Sequence, residues 1–231
     1  MFELSDTAWT AITLTLRIAV LATLVATPIG IATAWLLARR NFPGKMIVEA
    51  LVHLPLVLPP VVTGYLLLLT FGRRGAIGSF LADTFGIVLS FRWTGAALAC
   101  GIMAFPLLVR PIRLSFEAID IRLEQAATTL GANPWRAFAT ITLPLALPGI
   151  IAGMVLCFAK AIGEFGATIT FVSNIPGETQ TIASAVYALI QTPAGDREAT
   201  QLIVVSMILA FGALLVSEWF ARRAVARMRG D

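Results

Sequence analysis

Five stretches of this chain, residues 12–37, 47–71, 93–109, 145–171 and 202–220, are almost wholly apolar. Each approaches or exceeds the run of about 20 apolar residues that an α-helix needs to cross a hydrocarbon layer. With 58% hydrophobic and 13% charged residues the chain departs from soluble domains, in which about a quarter of the residues are charged. Backbone amides inside lipid must be satisfied within the segment that carries them, and the alternating ten-residue pattern of a barrel is absent, so the stretches read as helices. The expected fold class is all-α: a polytopic membrane protein with about five transmembrane helices over residues 10–221, followed by a basic tail at 222–231. Membrane lipid is then its first partner.

The first stretch does not read as a cleaved signal peptide. Glu3 and Asp6 stand where a basic region belongs, the apolar run is too long, and Arg39-Arg40 follows it. Cys100 and Cys157 fall inside the spans without metal or redox spacing and read as packing residues. His53 is the single histidine. No aspartate lies within a span, so an intramembrane enzyme has no constellation to work with, and neither catalytic nor metal-binding residues are assigned. A secondary transporter should show an internal repeat and buried coupling carboxylates, for which Glu164 is the lone candidate.

Lysine and arginine mark cytoplasmic loops. With alternating spans, one set of ends holds Arg39, Arg40, Lys45, Arg110, Arg113, Arg122, Arg136, Arg222, Arg223, Arg227 and Arg229. The other holds Arg73, Arg74, Arg92 and Arg197. The bias places the N-terminus outside and the C-terminus in the cytoplasm. The net charge of +4 therefore reflects topology and attraction to anionic lipid, not nucleic-acid binding. The tail from Arg222 to Arg229 reads as a membrane-surface anchor.

Residues 110–143 fall on the cytoplasmic side. Leu123, Ala126, Ala127 and Leu130 recur at helical spacing, with Arg122, Glu124, Gln125, Thr128 and Thr129 on the other face. Asp120 is placed to cap this helix and Gly131 to end it in the left-handed conformation. Asn133-Pro134 restarts the chain as cap and first helical residue. A second stripe follows at Trp135, Phe138, Ala139 and Thr142. An amphipathic hairpin of this kind lies on headgroups or docks on a protein. Small alanines favour the second reading.

Two spans carry candidate pathway residues. Pro55, Pro59 and Pro60 remove amide donors and kink the second span, and broken helices at membrane depth line substrate routes. In the fourth span Lys160 and Glu164 stand four apart, on one helical face, where each can neutralise the other's charge. This is a structural ion pair or a gate. Thr168, Thr170, Ser173 and Asn174 add hydroxyl and amide groups near the outer end, suited to passing an oxyanion without holding it.

The spacing Gln125-Ala126-Ala127, Gly131, Ile141, Leu143-Pro144 resembles the cytoplasmic EAA loop of bacterial ABC importer permeases, with Glu124 one place before the position where that motif has glutamate. The runs 53–60 (HLPLVLPP), 72–75 (GRRG) and 163–179 (GEFGATITFVSNIPGET) narrow the resemblance to molybdate ABC transporter permeases. Sulfate and tungstate permeases share part of these motifs. The resemblance implies the type I ABC importer permease fold in the bacterial inner membrane and a homodimer that forms the translocation pathway. It also implies a separate cytoplasmic ATP-binding subunit on the 110–143 segment and an extracytoplasmic molybdate-binding protein. The chain has no G-x-x-x-x-G-K-[ST] loop, so ATP and Mg would sit on the partner and no cofactor on this chain. The coupling residues implied are Glu124, Gln125, Ala126, Ala127, Gly131, Ile141, Leu143 and Pro144.

Overall fold

The computed structural model describes residues 4–193 and 195–229, with backbone alone at 217, 218 and 220–229. The helices run in the order α1 (Asp6–Arg39), α2 (Lys45–Val57), α3 (Pro60–Phe71), α4 (Ala76–Phe85), α5 (Trp93–Ala118), α6 (Ile121–Thr129) and α7 (Pro134–Ala137). A π-helical turn (Phe138–Thr142) leads into α8 (Leu143–Ile162), followed by α9 (Gly166–Val172), α10 (Ile182–Leu189) and α11 (Asp196–Arg229). Among the described residues no strand occurs. Four helices are long and apolar enough to cross a membrane, or five when α2 and α3 are taken as one broken span.

Between helices in lipid there is no hydrophobic driving force, so close backbone packing must supply the attraction. Helices α1 and α5 make the most extensive contact in the molecule, and small residues line it: Ala19, Ala22 and Ala26 on α1, Ala96, Ala97, Ala99, Cys100 and Ala104 on α5. Helix α8 packs on both α5 and α1, and α11 on α8. Cys100 and Cys157 are both buried in these contacts.

Several boundaries differ from the sequence expectation. The third span does not stop at residue 109: α5 continues to Ala118 because Ile112 and Phe116 extend its buried stripe, and Arg113 is held by Glu49 of α2 (2.9 Å) and by Glu117 (2.7 Å). The second span is bent by 115° at Leu58-Pro59, where consecutive prolines can neither donate nor accommodate a helical predecessor. The fourth span is not continuous over 145–171. It breaks at residues 163–165, and at its other end it merges with α7 into one rod, Pro134–Ile162. Pro144 would clash with the preceding turn of an α-helix; the wider π turn, closed by Leu143 N–H on Phe138 O, relieves that conflict.

The first span also begins earlier than residue 12. Arg17 stacks 3.8 Å over the ring of Trp93 at the start of α5. It stands 22 residues before Arg39, or about 33 Å along a helix, which is close to a hydrocarbon thickness. Beyond it, Ala8, Ala11 and Ile12 are covered by Ile182, Ala185 and Leu202 of α10 and α11, and Thr15 accepts from Ile182 N–H at 2.8 Å. Ser5 is bonded to Glu198 at the same end. The described contacts thus gather α1's start, α10 and α11's start at one end, and Arg39, Lys45, Arg113 and the 120–142 segment at the other. The side chains of the basic tail 222–231 lie outside the described residues; the backbone is helical through Arg229.

Candidate functional site

At the arginine-rich end, local sequence shapes the 120–142 segment as expected. Asp120 accepts from Arg122 N–H (2.9 Å) and Asn133 from Arg136 N–H (2.8 Å), with Pro134 in the first turn of α7. Gly131 has φ +88°. Gly131 N–H donates to Thr128 O and Ala132 N–H to Ala127 O, the paired bonds of a Schellman stop. Leu123, Ala126 and Leu130 face outward, Leu130 at 88% exposure, and Trp135 is 80% exposed. Ala127 is half-buried and Gln125 is exposed. Ile141 and Leu143 are half-buried and Pro144 is exposed in the first turn of α8.

The inner face of the segment differs from its sequence reading. Glu124 does not share the solvent face with Gln125. Its Oε1 accepts from Arg39 Nη2 (3.1 Å) at the end of α1 and from Thr142 Oγ1 (2.8 Å) in the π turn. Arg39 Nη2 also donates to Ile119 O at the end of α5 (3.1 Å). The second stripe splits as well. Trp135 and Ala139 point out, whereas Thr142 is buried and Phe138 lies between Trp35 and Phe116, 6.1 Å from each ring. Arg39 and Trp35 are the residues that sequence reasoning missed. Their signal, a cation and an aromatic in the last turns of α1, names no partner so far along the chain.

Away from this end the two broken helices meet. α3 packs on α9, and Gly166 faces Pro60. Lys160 Nζ donates to Glu164 Oε2 at 2.7 Å, as the spacing suggests, but Glu164 lies in the break rather than on a helix. Its Oε1 also accepts from Ala167 N–H (3.0 Å), so one carboxylate closes both sides of the break. Its side chain is 1% exposed, against 31% for Lys160. Cys100 Sγ sits 3.7 Å from Ala161 O, seven residues past Trp93, which puts the pair about 10 Å below α5's start. Thr168 donates to Phe165 O (2.9 Å) and is buried; Thr170 donates to Gly166 O (2.9 Å). Both hydroxyl protons are therefore held by backbone. Thr63 Oγ1, on α3, is buried without a partner. Pro55 lies inside α2 and lines an open, mostly apolar groove of about 570 Å³ between α1, α2 and α5, which holds no charged side chain. Among the described residues no group of three His, Cys, Asp or Glu converges.

Residues 26–230 match the family model described as binding-protein-dependent transport system inner membrane component. The chain is 60% identical over 219 residues to the molybdenum transport system permease protein ModB of Escherichia coli (strain K12), covering 95% of this chain and 96% of that one. It is 34% identical over 199 residues to the sulfate transport system permease protein CysT of the same organism, covering 85% and 72%. The fold is similar to that of a crystal structure of a bacterial ABC transporter that imports the acidic polysaccharide alginate. There the TM-score is 0.73 at 20% identity, over 95% of this chain and 80% of that one.

Proposed function

Because the chain belongs to the binding-protein-dependent transport system inner membrane components, a multi-pass permease family, we propose that it is the membrane subunit of an ATP-driven molybdate importer. The observation that carries the substrate is the 60% identity to a molybdenum permease across 95% of the chain, against 34% to a sulfate permease. Tungstate, a tetrahedral dianion that matches molybdate in size where sulfate is smaller, would share the route. Two copies of the chain form the pathway, with the N-terminus outside and the C-terminus in the cytoplasm. An extracytoplasmic binding protein delivers the anion to the end where α1 begins. A separate subunit carrying ATP and Mg docks on the exposed apolar surface of Leu123, Leu130 and Trp135.

The geometry supplies a lever for this function. The rod Pro134–Ile162 has 29 residues, about 43 Å at 1.5 Å per residue. It begins in the docking surface and ends at the Glu164 break, against α3. A push on α7 therefore reaches the facing breaks through one continuous helix. Lys160, already neutralised by Glu164, would touch a passing dianion without trapping it.

Extraction in mild detergent tests the assembly. We expect the chain to purify as a dimer with two copies of an ATP-binding polypeptide. A chain that purifies without any ATP-binding partner, and whose uptake ignores ATP, would contradict the reading.

A further inference from the structure

One departure from the motif gains a physical meaning in the structure. Along an α-helix one residue is a rotation of about 100°. The motif's acidic position holds Gln125, which is exposed, while the acid itself, one residue earlier, is turned into the bundle. Among the described residues, the side-chain hydrogen bonds from α6 to other segments all converge on Glu124 Oε1. Through it α6 reaches α1 at Arg39 and the rod's π turn at Thr142, and through Arg39 it reaches the end of α5 at Ile119 O. Thr142 is fully buried, and the Arg39 and Glu124 side chains are 11% and 25% exposed, so these charge-assisted bonds are partly shielded from water and stronger than fully exposed pairs. Arg39 Nε is buried without a partner. The guanidinium is therefore not at its hydrogen-bonding limit, and a shift of α6 can change its partners without breaking a saturated network.

We propose that Glu124 is the positioning residue that transmits displacement of α6 to α1 and to the rod, and that this acid serves the bundle rather than the ATPase. The inference rests on the docking role proposed for 120–142. Gln125 and the apolar surface hold the partner, and Glu124 passes its motion on. Thr142 is the acceptor's second hold: its hydroxyl ties the moved helix to the π turn of the lever.

The test uses the permease in nanodiscs, alone and in complex with its ATPase and binding protein. In the permease alone, Glu124→Gln and Thr142→Val should speed amide exchange at least tenfold across 120–142 while the middles of α1, α5 and α8 keep their protection. In the complex, both variants should retain the ATPase subunit but need several times more ATP per anion transported. Thr142→Ser, which keeps the hydroxyl, should restore the native ratio. Unchanged exchange and an unchanged ATP-to-transport ratio in Glu124→Gln and Thr142→Val would overturn the proposal. So would loss of protection throughout the bundle, which would make Glu124 a general structural residue. If the native permease binds no ATPase, the docking role fails, and the exchange measurement alone still decides whether Glu124 holds α6 to the bundle.

Discussion

Gly64 of α3 lies so close to Ala167 of α9 that a Cβ built on it would stand 2.5 Å from Ala167 O. The two broken helices thus touch backbone to backbone, beside the break that Glu164 closes. Backbone cannot step aside as a flexible side chain can. Gly64→Ala should cost about 1–3 kcal/mol through overpacking. Thermal unfolding in detergent checks this, and transport should fall even where the variant inserts normally. A variant with native melting temperature and native uptake would mean that α3 and α9 separate freely.

At Gly131 the strain is of another kind. A Cβ there meets nothing within 4 Å, but φ is +88°. Gly131→Val should therefore cost on the order of 1–2 kcal/mol from the left-handed backbone alone, and chiefly by redirecting α7. Insertion should stay near native and the melting temperature should fall by only about 2–8 °C, while association with the ATPase subunit weakens. Pull-down of that subunit is the measurement, and native association would show that the turn tolerates another geometry.

The Lys160–Glu164 pair is asymmetric, with side-chain exposures of 31% and 1%. Removing the lysine strands a buried carboxylate, whereas removing the carboxylate leaves a lysine that still reaches water or headgroups. Lys160→Ala should cost about 2–3 kcal/mol, below the figure for a fully buried pair because the lysine is partly exposed. Glu164→Gln should cost less, and the double variant should recover part of the loss. Equal, additive losses in unfolding experiments would indicate two groups acting separately.

Cysteine labelling checks the orientation. With Cys100 and Cys157 replaced, cysteines at Asp83 and Asp196 should react in intact cells, and those at Asn41 and Asn133 after permeabilisation. All four positions are exposed. Labelling at Asn133 in intact cells would invert the topology and detach the 120–142 segment from any cytoplasmic ATPase.

Local features of the site were legible in the sequence. The caps at Asp120 and Asn133, the left-handed stop at Gly131 and the Lys160–Glu164 pair each depend on residues within four places. Apolar length also marked the four long helices and the broken α2–α3 pair, though not their bounds. What escaped is non-local. The inward turn of Glu124 is set by Arg39, 85 residues away, and periodicity on α6 cannot report a partner on α1. The fusion of α7 with α8 escaped because the sequence reading ends the cytoplasmic segment at 143 and begins the span at 145, and only the π turn shows how one rod absorbs Pro144. Likewise Glu164 reads as mid-helix, since no proline stands in Gly163-Glu164-Phe165 to mark the break.

The central claim is the transported anion, and uptake measures it directly. The permease, reconstituted in vesicles with its ATPase subunit and its binding protein outside, should accumulate molybdate when ATP is enclosed. Tungstate should compete, and sulfate in moderate excess should not. Accumulation of sulfate at comparable efficiency with no response to molybdate would contradict the substrate, and molybdate uptake that proceeds without ATP would contradict the mechanism.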